Sequence, residues 1–164
     1  MATSTQKAPV ATGKVVGRRE LHFECCDDVV AECDRLLAGY RHLGNWSLGQ
    51  MASHLAEGLR PALEPTTIRV PWIIRFAARN FFKKGAMQKI SPGIKLPKGA
   101  SSLLPDAIDD RAGVEKYREM IHRWKQEPKR FPHPFFGLLT DEEWDKLLLR
   151  HAEMHLSFLI PKEN

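Results

Sequence analysis

Three histidines are the residues best placed to do chemistry. His151 and His155 stand four apart in the stretch TDEEWDKLLLRHAEMHLSFLI, residues 140–160. On a helix this spacing turns two imidazoles toward one point, as binding a shared metal ion requires. His54 lies in NWSLGQMASHL, between Met51 and Gly58 on the apolar face of another predicted helix. Three neutral imidazoles suit zinc, nickel, iron, cobalt or manganese. Three protein ligands leave a coordination position open, which is the catalytic rather than the structural pattern. A metal held this way could bring the pKa of a bound water or thiol toward neutrality. The competing reading is that each histidine sits at a core edge and bonds a carbonyl or carboxylate. A zinc protease fits the pattern poorly, because Ala152, Glu153 and Met154 separate the pair and Glu153 projects about 200° away from His151.

Other polar groups are candidates around such a site. Glu57 lies about 60° around its helix from His54 and could support it as a carboxylate, although a surface position is the favoured reading. His133, in FPHPFFG, could line the site mouth, but a structural role in the clasp is the favoured reading. Arg69, Arg75 and Arg79 are candidate anion-binding residues. His22, His42 and His122 fall at predicted surface or boundary positions.

The elements that must hold the histidines are legible. Thr140 caps the last helix, Glu143 completes a capping box, and Asp141 and Glu142 suit the positive end of the helix dipole. Trp144, Leu147, Leu148, His151, Met154, His155 and Phe158 form one stripe, and Pro161 stops the helix near Ile160. Ser47 and Gln50 form a second capping box, opening a helix that runs to about Leu63 with Met51, Leu55 and Leu59 inward. Another helix is expected from Asp27 or Asp28 to Arg41, and another from Asp110 to Glu127 with Val114, Tyr117, Ile121 and Trp124 inward. Residues 131–137 read as an extended aromatic clasp. No convincing sheet is visible. The expectation is an all-α, four-helix bundle. Short joins make helices one and two, and three and four, antiparallel. The long join from residue 63 to 109 lets helices two and three run parallel, giving an up-down-down-up order.

The 164 residues suit one domain over residues 19–164, preceded by a flexible arm at 1–18. The composition, 43% hydrophobic and 27% charged, is that of a soluble globular protein. No apolar run approaches the roughly 20 residues of a membrane span, and the N-terminal stretch lacks a signal-peptide core, so a cytoplasmic protein is expected. Cys25, Cys26 and Cys33 have no Cys-x-x-Cys spacing and read as packing residues. Near a helix N-terminus, the thiols of Cys25 and Cys26 could also have a lowered pKa.

The crossover stands apart. Residues 65–105 hold eight Lys and Arg and no Asp or Glu, while the whole chain is net +5, so the remainder is net −3. Residues 71–84 are predicted as a basic helix that packs Trp72, Ile73, Phe76 and Phe81 or Phe82 on the bundle and leaves a solvated basic edge. Ser91 to Pro105, with Pro92, Pro97, Lys95 and Lys98, is predicted as a loop. The alternative use of residues 69–98 is as a non-catalytic binding module, with the metal site structural or vestigial. The expected partners are a small-molecule substrate and a second copy in a homodimer, not nucleic acid or a membrane.

The run Asn45–Leu55, with its tryptophan, capping serine, glutamine and histidine, resembles the second-helix motif of DinB-like proteins. His151-x-x-x-His155-Leu156 is similar to their last-helix motif. HPFFGLLT at 133–140, followed by Glu143-Trp144, resembles a DinB-like subfamily still classed as a domain of unknown function. The resemblance spans the chain from about Arg19 onward. It implies an up-down-down-up bundle and a divalent metal held by His54, His151 and His155. Characterised relatives include metal-dependent S-transferases and isomerases that use a low-molecular-weight thiol, which the metal would hold as a nucleophilic thiolate. The basic crossover could then read the carboxylates of such a thiol. Met154 stands where this subfamily often carries a further histidine.

Overall fold

The structure is a computed structural model that describes residues 10–93 and 104–162. The first nine residues of the expected arm, and most of the expected Ser91–Pro105 loop with Lys95 and Lys98, lie outside the described residues. In chain order the elements are α1 (Cys26–Leu37), β1 (Tyr40–His42), α2 (Leu48–Leu63), α3 (Trp72–Ala77), a π-helical turn (Ala78–Phe82), α4 (Lys83–Ala86), α5 (Asp110–Gln126), α6 (Asp141–Leu156) and β2 (Leu159–Pro161). The chain is therefore mostly helical, as expected of an all-α protein.

Local chemistry starts the helices where the sequence says it should. Ser47 Oγ accepts from the Gln50 amide at 3.2 Å while Gln50 Oε1 accepts from the Ser47 amide at 3.0 Å. Thr140 and Glu143 make the same reciprocal pair at the start of α6. Asp109 caps α5 by accepting from the amides of Arg111 and Ala112. Its neighbour Asp110 caps α2 from outside. One of its oxygens accepts from the Gly49 amide at 2.7 Å, and the other accepts from the Tyr40 hydroxyl, which itself accepts from the Leu48 amide. The first turns of α2 and α5 are thus tied together.

Contacts along α2 and α5 then advance in step. Gly49 meets Asp109 and Gly113, Ser53 and Glu57 meet Lys116, and Glu64 meets Arg123. The two helices run parallel, which the long join between them permits. Their crossing is very close. A Cβ on Gly113 would strike the carbonyl oxygen of Gly49, and one on Gly49 would come within 2.6 Å of the Asp109 oxygen. Against α5, α1 runs the other way, pairing Asp34 with Arg118 and Asp27 with Lys125. So does α6, whose Asp145 accepts from the Trp124 indole N–H near the end of α5. Val29, Leu36, Leu48, Leu59, Val114, Trp144 and Leu156 are fully enclosed between these helices.

Four expectations are corrected. A small antiparallel sheet is present, pairing Tyr40 with Pro161 and His42 with Leu159. It ends α1 at Leu37 instead of Arg41, and α6 at Leu156 instead of Ile160. The end of α1 is set by Gly39, whose φ of +140° turns the chain out of the helix, with its carbonyl accepting from the Lys162 amide. Second, residues 10–18 of the expected arm make specific contacts through Val10 and Arg18. Val10 and Asn45 exchange hydrogen bonds, and Arg18 bonds Ser157 Oγ and the Met154 carbonyl while stacking 4.3 Å above the Phe158 ring. Third, the crossover helix does not pack its aromatics inward. Trp72 is 75% exposed, Phe81 73% and Phe76 58%. Fourth, burial pushes the Cys26 and Cys33 thiols up to about 12, the opposite of thiolate activation.

Candidate metal centre

The three candidate histidines meet between α2 and α6. His54 Nε2 approaches His151 Nε2 at 3.3 Å, and His155 Nε2 approaches it at 3.0 Å. One nitrogen from each ring falls within 4.8 Å of the others. Two nitrogens bound to one tetrahedral ion at about 2.0–2.1 Å stand about 3.3 Å apart, so both pairs that share His151 are spaced as two ligands of a single metal are. The rings meet edge to face, with centroids 4.6–5.1 Å apart. His54 and His155 are buried, and His151 is half-buried.

Each ring is held by packing that the sequence pattern dictates. His151 lies over Gly58 of α2. A Cβ there would sit 3.3 Å from His151 Cε1, so the glycine makes room for the imidazole. Trp46, just before α2, stacks on His155 with ring centroids 5.2 Å apart and 14° between planes, and leans on His54 at 5.1 Å. Burial, followed by the neighbouring His54 and His133, pushes His151 down to about 3. His155 is pushed well below its ordinary value by burial first, then by His151, His54 and Arg18. Both rings are neutral near pH 7 and keep a nitrogen lone pair for a metal.

The trio borders a cavity of about 720 Å³. Its other walls include Met51, Ile68, Ile90, Leu104, Phe135 and Phe158. None of its described lining residues is Asp, Glu, Lys or Arg. His133 lines it too. Its Nδ1 accepts from the amides of Phe135 and Phe136 at 3.1 and 3.2 Å. The turn that makes this possible is closed by reciprocal backbone bonds between His133 and Gly137, whose φ of +74° favours glycine. Burial lowers His133 to about 4, so the ring is neutral and carries its proton on Nε2.

The remaining candidates lie elsewhere. Glu57 does not line the cavity; its oxygens are engaged by Arg60 of its own helix and by Lys116 of α5. Those partners hold its carboxyl below the usual range, Arg60 foremost. Arg75 and Arg79 line a separate cleft between the crossover helix and Phe135, Phe136 and Gly137. Arg69 is exposed and borders neither. His22, His42 and His122 are exposed as expected.

A family model described as "Protein of unknown function (DUF1569)" matches residues 15–162. The chain belongs to this family. No curated protein and no solved structure matches the chain. The DUF1569 match begins at Val15, inside the expected arm, in keeping with Arg18 anchoring the end of α6.

Residues that spacing alone did not single out complete this DUF1569 site. Trp46 precedes the capping Ser47 and lies outside the helical stripes, and only the fold brings it over two imidazoles. Gly58 reads as a small member of an apolar stripe, yet its missing Cβ is what seats His151. Trp144 was legible as core, but not the state of its indole. That N–H is buried and has no hydrogen-bond partner among the described residues, a loss worth about 1–3 kcal/mol if nothing answers it.

Proposed function

We propose that this protein is a DinB-like metalloenzyme, an up-down-down-up four-helix bundle in which His54, His151 and His155 hold one divalent metal. The observation that carries the reading is the convergence of three Nε2 atoms, spaced for one ion, at the wall of a cavity large enough for a small molecule. The parallel run of α2 and α5 and the opposed runs of α1 and α6 support the bundle order. A bound metal would supply Lewis acidity, lowering the pKa of a coordinated water or low-molecular-weight thiol.

The chain's own residues define the rest of the chemistry. The apolar walls exclude water and strengthen electrostatic interactions within the site. Trp46 and Gly58 fix the planes of the imidazoles. His133 presents a neutral N–H rather than a base, because its other nitrogen is occupied by two backbone amides. A thiol-dependent S-transfer, with a small electrophile entering the cavity, fits these parts.

The deciding experiment is elemental analysis of untagged protein beside a His151→Ala, His155→Ala double variant. About one equivalent of metal is expected in the wild type and none in the variant. Absence of metal in both, after reconstitution with zinc, nickel, iron, cobalt and manganese, would sink the proposal. With cobalt bound, a thiolate charge-transfer band on adding glutathione or cysteine would support the thiol role.

The exposure of the crossover helix favours a second reading, in which it serves as a binding surface. Trp72, Ile73, Phe76, Phe81 and Phe82 are exposed beside Arg75, Arg79 and Lys84. Basic residues among exposed aromatic and aliphatic ones suit an anionic membrane surface. Sedimentation with vesicles rich in phosphatidylglycerol, lost at high salt, would support this use; equal indifference to neutral and anionic vesicles would end it. No helix among the described residues is long and apolar enough to cross a membrane, so such contact would be peripheral.

A further inference from the structure

The cleft beside the crossover helix holds two guanidinium groups without a counter-ion among the described residues. Arg75 and Arg79 both line it and stand four residues apart, across the junction of α3 and the π-helical turn. Neither side chain has a hydrogen bond or ion pair among the described residues, whereas the nearby Lys83 spends its charge on Glu143. Like charges one turn apart repel, so an anion settling between them removes a cost. Trp72 and Phe76 stand on the same wall, 75% and 58% exposed. Phe135 and Phe136 of the clasp turn form the opposite wall. That wall is fixed. Backbone bonds between His133 and Gly137 close the turn, and the His133 ring stacks on Phe136 at 4.8 Å with 21° between planes. The space between the walls is about 410 Å³, within the range of small-molecule sites. Phe135 is the one described residue that also lines the histidine cavity, so the two sites are distinct.

We propose that this cleft binds a small aromatic anion, a flat ring carrying a phosphate or a carboxylate. The ring is received between the aromatic walls, and the anionic group by Arg75 and Arg79. A guanidinium presents a planar fork of N–H donors that matches the oxygens of either group. Aromatic side chains favour a flat ring through offset stacking or edge contact. Each half of such a ligand answers one half of the cleft, so a ring without charge, or an anion without a ring, satisfies only part of it. The site does not depend on metal at the histidines. It also differs from the membrane use of the same helix, because a lipid headgroup brings the anion without the ring.

The test is NMR titration of the full chain with 2-naphthyl phosphate and 2-naphthoate. Two controls each lack one half of the ligand: 2-naphthol, neutral at neutral pH, and glycerol 3-phosphate, the headgroup anion without a ring. Four indole N–H signals are expected from the four tryptophans, and Trp72→Phe identifies one of them by its loss. The Trp72 signal should move with at least one naphthyl anion, and the tighter of the two names the anionic group. Both controls should bind at least about tenfold more weakly, as loss of a charge-assisted hydrogen bond or of a stacked ring implies. Arg75→Gln and Arg79→Gln, both at exposed positions, should each weaken the naphthyl anion about tenfold and leave 2-naphthol unchanged. No movement of Trp72, equal affinity for 2-naphthol, or full affinity in both arginine variants would each overturn the proposal. Equal affinity for glycerol 3-phosphate would overturn it in favour of the membrane use. Movement of Trp46 or Trp144 in place of Trp72 would put the ring in the histidine cavity and overturn it as well.

Discussion

The α2–α5–α6 core and the crossover helix are built from similar residues and meet opposite fates. Trp144 on α6 is 1% exposed, whereas Trp72 on α3 is 75% exposed. Both follow residues that begin a helix, and both have aliphatic and aromatic neighbours at helical spacing. The difference lies in what faces them. α6 is closed in by α2 and α1 and touches α5 at Trp124, while α3 and α4 follow a join released from the end of α2. Ion pairing ties the crossover down at Lys83, which meets Glu143 at 2.6 Å. Hydrophobic periodicity thus reports that a residue belongs on a helix face, and only tertiary context reports whether that face is covered.

The sharpest way to break this contrast is to add a single methyl group to the core. Gly113→Ala would drive its Cβ into the backbone of Gly49, which cannot rotate away as a side chain could. The cost should be about 3 kcal/mol or more, read as a lowered midpoint of chemical denaturation. An unaffected midpoint would show that α2 and α5 do not cross this closely. A smaller effect is expected at the histidines. Gly58→Ala would place a Cβ 3.3 Å from His151 Cε1, close enough to tilt the ring without preventing folding. Metal affinity should fall about tenfold, as it does when the groups supporting a ligand are disturbed, with secondary structure retained by circular dichroism. Retention of full affinity would show that His151 needs no such seat.

What the sequence revealed and concealed follows the same division. The capping pairs Ser47–Gln50 and Thr140–Glu143 are local chemistry, complete within four residues, and both are present. His54, His151 and His155 were legible together because each falls on an apolar stripe, and two stripes that pack must bring such residues together. Glu57 was left between a supporting role and the surface because a helical wheel gives direction around an axis but not the position of Arg60 and Lys116, which engage it. Arg75 and Arg79 were drawn toward the site by charge alone, and a net-charge argument has no geometry. The β1–β2 pair was missed because three-residue strands have too little alternation to register, and because residues 157–160 continue the apolar stripe of α6. The Trp144 N–H and the His133 tautomer depend on partners from the fold and the clasp turn, which no spacing rule supplies.

Acid provides a gentler probe of the core. His133 and His151 bind protons at about 4 and about 3 in the folded chain, below the ordinary 6.5, because burial penalises the cation. The unfolded chain therefore holds more protons between these values. Their contribution to stability is complete above about pH 6.5 and declines as pH falls toward 3–4. Denaturation of metal-free protein across pH 7 to 4 should show this loss, and His133→Phe should reduce its slope by up to one proton. A slope unchanged by that variant would place His133 in water.

The smallest effect is expected from the largest removal. Trp72→Ala deletes an entire indole, yet the side chain is 75% exposed and α3 has no fully buried residue. Core tryptophans cost about 3–5 kcal/mol when cut to alanine, because a cavity is left behind. Here no cavity can form, and the denaturation midpoint should shift by no more than about 0.5 kcal/mol. Alanine also favours the helix slightly over tryptophan, which offsets part of any lost contact. A loss of 2 kcal/mol or more would mean that Trp72 is covered in solution, by the chain itself or by a second copy. Repeating the measurement at two protein concentrations separates those cases, since only the second depends on concentration. A near-zero shift would instead leave the indole available to an outside partner, and would make the crossover helix the region of the molecule whose sequence serves contact rather than folding.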